Sequence, residues 1–412
     1  MRSAIAPIAA LLVSVFVLLV GNGLHNTLVS VRANDAQFGA LILGLMGSGY
    51  FIGMTAGCLI APAMIRRVGH IRAFAACTAI ATVTPLLHAL FVLPPVWILL
   101  RALTGMLFAV LYAVIESWLN DKASNEQRGS ILGIYMVVNY AGSAVGQQGM
   151  SIPDGSGFVL YLIAAIMVSL SAVPVAMTRS VSPPIPEAPR IDPGWLYRLS
   201  PVAFIACIVS GLVNSSFWTL APVFIAGTGH DTFVVANFMT IVVFGSVVAI
   251  WPVGLLSDRT DRRHILLASG MFSIAASIAL AIFSDRDPTW LYAAGFCFGA
   301  ATMPVYSLAT AHANDHAGSG EAVRVATGVL LLYCFGAMVG PLFASGAMAL
   351  AGPSGMFVYC AAIMIGLMVW TGYRLMQRKA PPQSERDTYV ALRPTSPAMV
   401  GLDPRLPPTD DD

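Results

Sequence analysis

The chain alternates between long apolar stretches and short polar segments up to about residue 376. A helix needs about 20 mainly apolar residues to cross the hydrocarbon core of a bilayer. The period-two alternation of membrane β-barrel strands is absent, and lipid satisfies no backbone hydrogen bonds, so the pattern predicts helices. The twelve predicted spans are 5–30, 38–65, 71–93, 95–118, 129–150, 157–178, 200–226, 234–256, 264–284, 289–311, 323–350 and 354–376.

Basic residues are concentrated on one side of the predicted spans. The segments that follow odd-numbered spans contain only Arg32 and Arg286. Because lysine and arginine favour cytoplasmic loops, we expect both termini to lie in the cytoplasm. The basic residues of the other segments and of the beginning of the tail are Arg66, Arg67, Lys122, Arg128, Arg179, Arg190, Arg198, Arg259, Arg262, Arg263, Arg324, Arg374, Arg378 and Lys379.

The overall composition is that of an all-α membrane protein. The chain is 57% hydrophobic and 10% charged, whereas soluble domains are about 25% charged. No basic cluster typical of nucleic-acid binding is present. The six cysteines lie singly in apolar runs without disulfide or metal-ligand spacing. We therefore expect a lipid bilayer as solvent, no nucleic-acid partner, no metal and no cofactor.

Four short patterns recur in the same order on both sides of a proline-rich segment, at offsets of 188, 192, 194 and 194 residues. They predict two pseudo-symmetric six-helix halves with the substrate site between them near mid-membrane. The pairs are GLHNTL (23–28) with GLVNSS (211–216), RRVGHIR (66–72) with DRTDRRH (258–264), Tyr112–Asp121 with Tyr306–Asp315, and GSAVG (142–146) with GAMVG (336–340). The predicted units are the halves 1–178 and 199–376, a cytoplasmic linker 179–198 and a disordered tail 377–412.

The loop sequence GLLSDRTDRR (254–263) resembles a signature of the major facilitator superfamily of secondary transporters, G-x-L-x-D-R-x-G-R-R. Asp261 stands where glycine is usual. The first-half copy is degraded, because Pro62 replaces its first glycine and Arg66 replaces its aspartate, although Gly69 is kept. The similarity extends over about residues 5–376.

Three further strings are similar to that superfamily. RALTG (101–105) resembles its fourth-helix arginine motif, and GSAVGQQG (142–149) resembles its fifth-helix antiporter motif, with Gln147 in place of proline. ESWLND (116–121) is similar to a poorly characterised bacterial branch. These resemblances imply a transporter of the bacterial inner membrane that works by alternating access.

One face of the fourth span carries unusual residues. Five of its residues are spaced by four, three, four and four positions, so they share one helix face. They are Arg101, Gly105, Phe108, Tyr112 and Glu116. Arg101 lies about 10 Å inside the span. Such a cation usually faces a cavity or a partner; the alternative is that its long side chain extends to the headgroups. This face is expected to line the substrate pathway.

Glu116 is the only acid within the predicted spans. It lies about one turn from the polar end of the helix. We therefore interpret it first as a latch that pairs with cytoplasmic arginines, which the superfamily resemblance also implies. The alternative is a proton carrier. The candidate partners in the latch are Arg66, Arg67, Arg72 and Arg128.

The first span of each half carries a polar face. Asn22, His25 and Asn26 share one face of the first span, and Asn214 and Trp218 share one face of the seventh. In the superfamily these helices line the central cavity, so all five are candidates for the substrate pathway. The alternative is hydrogen bonding between helices, worth about 1 kcal/mol or less per contact. For His25, packing is the preferred interpretation over proton acceptance.

The fifth and tenth spans add further candidates. Asn139 and Gln147 on the fifth span are expected to reach the cavity, while the glycines on its stripe are interpreted as packing residues. Tyr306 on the tenth span repeats Tyr112, so the two tyrosines are candidates to contact a solute from both halves. The motif residues Asp258, Arg259 and Arg262 are expected to form charge contacts across the cytoplasmic ends and to hold the outward-facing state.

The sequence predicts a secondary transporter for a small neutral or singly charged solute, driven by protons and acting as a monomer. Arg101 favours an anion and the aromatic residues favour amphipathic molecules. No G-x-x-x-x-G-K-[ST] loop for nucleotide is present, and no intramembrane protease motif occurs, so an enzyme is not expected. The alternative is a membrane sensor that has the transporter fold and no transport activity.

Overall fold

The computed structural model describes residues 8–123, 127–177, 192–283, 287–318, 320–377, 382, 386 and 388–403. Within them, no strand occurs, and twelve helices are long and apolar enough to span a membrane, which confirms the predicted spans. They are α1 (Ala9–Asp35), α2 (Ala40–Val68), α3 (His70–Leu90), α4 (Pro94–Lys122), α5 (Arg128–Ser151), α6 (Val159–Ala176), α7 (Pro201–Gly227), α8 (Thr232–Arg259), α9 (Arg262–Ile282), α10 (Pro288–Asn314), α11 (Ala322–Ala351) and α12 (Gly355–Gln377).

Several helices extend beyond the hydrophobic runs that predict them. Helix α4 continues to Lys122, four residues past the predicted end, because hydropathy detects the lipid-covered part of a helix and not its polar end.

Helix α10 is interrupted between Thr302 and Val305. Pro304 lies in this interruption and has no backbone N–H to donate to the preceding turn.

Matching helix pairs in the two halves approach through glycines. On α5, a Cβ atom added to Gly146 would lie 2.4 Å from the carbonyl oxygen of Val20 on α1. On α11, a Cβ atom at the repeat-related Gly340 would lie 2.4 Å from the carbonyl oxygen of Leu212 on α7. The GSAVG and GAMVG repeat is therefore a packing repeat, which agrees with the interpretation of these glycines as packing residues.

A second set of glycines brings α2 against α4. A Cβ atom at Gly105 would lie 1.9 Å from the carbonyl oxygen of Tyr50, and one at Gly53 would lie 1.8 Å from that of Ala102. Helices α8 and α10 make the corresponding contact in the second half, where a Cβ atom at Gly299 would lie 2.1 Å from the carbonyl oxygen of Val242. The contact between α2 and α4 holds the polar face of α4 in place.

Helices α2, α4 and α8 all end on the same side of the bundle. We call this side the basic end and the other side the opposite end. At the opposite end the two halves are in direct contact. A Cβ atom at Gly44 of α2 would lie 2.2 Å from Oγ of Ser345 on α11. On α5, Nε2 of Gln148 donates to Oγ1 of Thr240 (2.8 Å) and Oδ1 of Asn237 (3.2 Å) on α8.

At the basic end, part of the C-terminal tail lies between the halves. We call residues 388–403 the inserted segment. Leu392, Met399 and Leu402 of this segment are buried, and residues Pro397–Leu402 form a 3₁₀ helix. The prediction of a disordered tail therefore does not describe these residues. Most of the predicted linker, residues 178–191, lies outside the described residues, and its last part forms a short helix, Pro193–Leu199.

The contact between α2 and α4 gives a stability prediction. Gly105→Val is expected to lower the free energy of unfolding by about 1–3 kcal/mol or more, because the added side chain meets the backbone of Tyr50. The control is Gly366→Val on α12, where an added Cβ has no atom within 4 Å. Thermal unfolding of both purified variants in detergent measures the difference. Equal melting temperatures would contradict this account of the packing.

Candidate functional site

Arg101 points into the protein. Its side chain is buried, and its Nη1 donates to Oδ1 of Asn26 on α1 at 2.5 Å. Its guanidinium carbon lies 4.5 Å from the centroid of the Tyr50 ring on α2, in cation–π range. The alternative in which Arg101 extends to the headgroups therefore does not occur in this structure. Three helices of the first half converge on this cation.

The same face of α4 continues toward the basic end through two aromatic residues. The rings of Phe108 and Tyr112 lie 6.3 Å apart, and both are buried. One turn further, Glu116 is fully buried and accepts a hydrogen bond from the Tyr135 hydroxyl on α5 at 2.9 Å. The predicted face therefore exists as one continuous interior surface from Arg101 to Glu116.

The partners of Glu116 differ from those expected for a latch. Thr395 Oγ1 donates to its Oε1 and Ser396 Oγ donates to its Oε2, each at 2.5 Å. Among the ion pairs of the described residues, none joins Glu116 to the four candidate arginines. Three of them are exposed at the basic end, and Arg128 is buried at the start of α5 without reaching this carboxylate. The exposed three are Arg66, Arg67 and Arg72.

The residues on the polar face of α1 lie in two different environments. Asn26 contacts Arg101, whereas the His25 ring packs edge-on against His88 of α3, with ring centroids 5.0 Å apart. His25 also lies 6.4 Å from the Tyr161 ring of α6, so it belongs to the interior of the first half. Asn22 is buried. Its Oδ1 has no hydrogen-bond partner in the part of the chain that the structure describes.

We call the space between the halves that the inserted segment occupies the cavity. Of the two α5 candidates, one contacts the segment there and one does not. Asn139 is fully buried, and its Oδ1 accepts a hydrogen bond from Nη1 of Arg393 in the inserted segment at 3.3 Å. Gln147 instead accepts a hydrogen bond from the Thr27 hydroxyl of α1. Gln147 therefore joins two helices of the first half and is a packing contact here.

The candidates of the second half form a less polar surface. Nδ2 of Asn214 donates to Oγ of Ser210 at 3.2 Å, one turn earlier on α7. The Tyr306 ring packs against Tyr333 of α11, with centroids 5.4 Å apart. Trp218 is partly exposed and packs against Phe217 at 5.3 Å. The first half therefore supplies the charged side chains Arg101 and Glu116 of this cavity.

The loop motif is organised within one half. The buried Arg262 donates from Nε to Asp315 Oδ2 at 2.6 Å and from Nη2 to Asp315 Oδ1 at 3.1 Å. It also donates from Nη1 to Asp258 Oδ1 at 3.2 Å. Arg259 is exposed. These contacts join α8, α9 and α10 at the basic end of the second half. The role of Asp258, Arg259 and Arg262 in holding the outward-facing state stays a prediction.

Two structural differences explain the altered loop motif. In the first half, Gly69 joins α2 to α3 with a φ of +80°, a left-handed conformation that favours glycine. In the second half, Asp261 occupies the repeat-related position with a φ of −66°, and its side chain accepts from the backbone N–H of Arg263 at 3.0 Å. Asp261 is therefore an N-cap of α9.

Sequence reasoning missed three contributors to the site. Tyr50 follows a run of small residues on α2, and no local pattern places it over Arg101. His88 lies on α3, which shows no polar face in the sequence. The prolines of the inserted segment predict disorder, although the segment buries the apolar residues Leu392, Met399 and Leu402.

The chain is similar to a known transporter family over most of its length. The sequence profile of the Major Facilitator Superfamily matches residues 11–341 and 239–402. An uncharacterized MFS-type transporter of Yersinia pestis (strain Pestoides F) is 27% identical over 397 residues, covering 94% of this chain and 98% of that protein. A second, of Enterobacter sp. (strain 638), is 28% identical over 340 residues, covering 82% and 87%.

The fold is also similar to a solved transporter. The crystal structure of the nucleoside transporter NupG superposes with a TM-score of 0.74 at 14% sequence identity, covering 90% of this chain and 99% of that one. At this identity the similarity concerns the fold alone.

The Arg262 cluster gives a second stability prediction. Asp315→Asn is expected to lower the free energy of unfolding by about 3 kcal/mol, because a nearly fully buried arginine loses its charged partner. The control is Asp121→Asn at the repeat-related position, where the pair with Lys122 is partly exposed and worth less than about 1 kcal/mol. Chemical or thermal unfolding in detergent compares the two. A larger effect at Asp121 would contradict this assignment.

Proposed function

Because the chain belongs to the Major Facilitator Superfamily and is a multi-pass membrane transporter, we propose that it moves a small solute across the bacterial inner membrane by alternating access. The solute binds between the two halves, and the halves rock around it to open one side at a time. The protein acts as a monomer with its basic end in the cytoplasm, in keeping with the concentration of arginine there.

One observation carries the proposal. The two halves close against each other at the opposite end, whereas at the basic end the inserted segment lies between them and contacts Glu116 on α4 and Ser307 on α10. The closure consists of the contacts of Gly44 with Ser345 and of Gln148 with Thr240. With the basic end in the cytoplasm, this arrangement corresponds to an inward-facing state. A carrier needs such a state as one half of its cycle.

Arg101 is proposed to donate hydrogen bonds to oxygen acceptors of the solute, such as hydroxyl groups, at the deep end of the cavity. Asn26 and Tyr50 hold its guanidinium in a fixed orientation, and Arg101 keeps hydrogen-bond donors beyond the one given to Asn26. A buried arginine that is already oriented loses little side-chain entropy when it binds a ligand. Tyr112 and Tyr306 supply an aromatic surface from each half.

Glu116 is proposed to couple transport to protons. It is a carboxylate in the interior of the pathway, and its described partners are the hydroxyls of Tyr135, Thr395 and Ser396. A hydroxyl can donate to a carboxylate or accept from a carboxylic acid, so this environment accommodates both protonation states. The arrangement supports the proton-carrier hypothesis over the latch with cytoplasmic arginines.

Solute flux in proteoliposomes tests transport. Solutes that raise the melting temperature of the purified protein are first selected from a metabolite and drug panel. Accumulation of a selected solute is then measured with and without a pH gradient, and Arg101→Ala is expected to lower the flux at least tenfold. Binding without flux for every selected solute would instead support the alternative of a sensor that has kept the fold.

Glu116→Gln tests proton coupling. The amide keeps the shape and hydrogen-bonding capacity of the side chain but does not exchange a proton. We expect exchange of solute between the two sides of the membrane to persist, while accumulation driven by a pH gradient is lost. Tyr135→Phe, which removes one hydroxyl donor and no titratable carboxyl, is the control and should keep gradient-driven accumulation. Retained accumulation in Glu116→Gln would exclude Glu116 as the carrier.

A further inference from the structure

The inserted segment makes specific contacts with both halves of the transporter. On the second half, the backbone N–H of Tyr389 donates to Asp258 Oδ1 at 2.7 Å, and the backbone N–H of Leu392 donates to the Ser307 hydroxyl at 3.0 Å. On the first half, Thr395 and Ser396 donate to Glu116. The segment therefore bridges α8 and α10 to α4 through the centre of the protein.

Several polar groups of the segment are paired in the interior. The Ser307 hydroxyl also lies 3.0 Å from the Leu392 carbonyl oxygen, and Cys58 Sγ of α2 lies 3.9 Å from the Thr395 carbonyl oxygen. Ser396 accepts from the backbone N–H of Ala398 at 3.2 Å and so caps the 3₁₀ helix that follows. Buried backbone groups at membrane depth need such partners. These contacts therefore stabilise the segment in the interior.

Arg393 carries the charge of this segment to the middle of the membrane. Its Nη1 donates to Asn139, which lies eleven residues from the start of α5, or about 16 Å along the helix. Its guanidinium carbon lies 5.0 Å from the centroid of the Tyr140 ring. An arginine is costly at this depth unless the site is built for a cation.

Three features of the site fit one kind of ligand. Aromatic faces bind guanidinium and ammonium groups by cation–π attraction. The Asn139 carbonyl oxygen accepts a hydrogen bond and offers the cation a second contact. The Glu116 carboxylate accepts from two neighbouring hydroxyls of the same ligand. A cation next to hydroxyl donors satisfies all three.

We propose that residues 388–403 act as a tethered competitive ligand of the transport cavity, and that the solute they compete with is an organic cation bearing hydroxyl groups. This inference rests on the proposed transport function. While the segment is bound, α4 and α10 cannot approach each other at the basic end, so the carrier is held in one state. Release of the segment vacates the cavity for the solute and permits the halves to rock.

The position of the segment is tested by the accessibility of Cys58. In full-length protein that keeps Cys58 and carries alanine at the other five cysteines, a small water-soluble thiol reagent should label this residue slowly. The triple substitution Arg393→Ala, Thr395→Ala and Ser396→Ala should raise the labelling rate at least tenfold, because the segment then leaves the cavity more often.

Cys207 provides the control for this experiment. It is fully buried on α7 within the second half. In a full-length protein that keeps only Cys207, the triple substitution should leave labelling unchanged, whereas general unfolding would expose both thiols. An unchanged rate at Cys58, or an equal increase at Cys207, would overturn the proposed position of the segment.

Peptide binding tests competition and the chemical class of the ligand. The probe is a fluorescent peptide with the sequence of residues 389–403, YVALRPTSPAMVGLD. Its affinity for full-length protein with the triple substitution should be at least tenfold higher than its affinity for the wild-type protein, because the cavity of the wild-type protein is already occupied. N-acetylarginine amide should displace the bound peptide at lower concentration than N-acetylcitrulline amide, which has the same shape without the charge.

The outcomes separate this inference from the proposed function. Equal binding of the peptide to both proteins, or no binding to either, would overturn the tethered ligand even if solute flux is observed. Equal displacement by the arginine and citrulline compounds would overturn the cation class. If the peptide binds as expected but no solute flux is observed, the proposed transport function would be overturned. The segment would then be a bound ligand of a membrane sensor.

Discussion

Lipid offers no hydrogen bonds, and this constraint determines where every polar side chain of the protein can lie. A buried arginine and a buried carboxylate are tolerated in the spans because each has partners inside the bundle. Arg101 is bound by Asn26 and Tyr50, and Glu116 by hydroxyl groups. The glycine contacts between α2 and α4 make this possible, because they bring the two backbones close enough for Tyr50 to lie beside Arg101.

The two halves share the same helix-packing contacts but differ in where their charged residues lie. The same glycine positions bring α1 against α5 and α7 against α11, while the charged cavity residues Arg101 and Glu116 both come from α4. At the position related to Glu116, the Thr310 hydroxyl donates to the carbonyl oxygen of Tyr306 on its own helix at 2.9 Å. The second half instead concentrates charge at its basic end, around Arg262. The repeat thus preserves the scaffold and separates the buried charges of α4 from the charge cluster of the second half.

Sequence periodicity predicts the features that are determined within a single helix, namely its span and the residues that share a face. The twelve spans and the shared face from Arg101 to Glu116 follow from hydropathy and from steps of three and four residues. Contacts between distant parts of the chain do not follow. His25 has a local polar neighbourhood in sequence, yet its partner is His88 on another helix. Glu116 contacts Thr395 and Ser396, 279 and 280 residues away, and a proline-rich composition gives no sign of such a contact.

The order in which the chain is made has a consequence for the inserted segment. Residues 388–403 leave the ribosome after all twelve helices, and chains generally fold from the N-terminus during synthesis. The bundle can therefore assemble around an empty cavity, and its closure by the segment is a late step of maturation. A newly made molecule therefore passes through an open stage before its tail is bound, and the proposed release of the segment would return the mature protein to that stage.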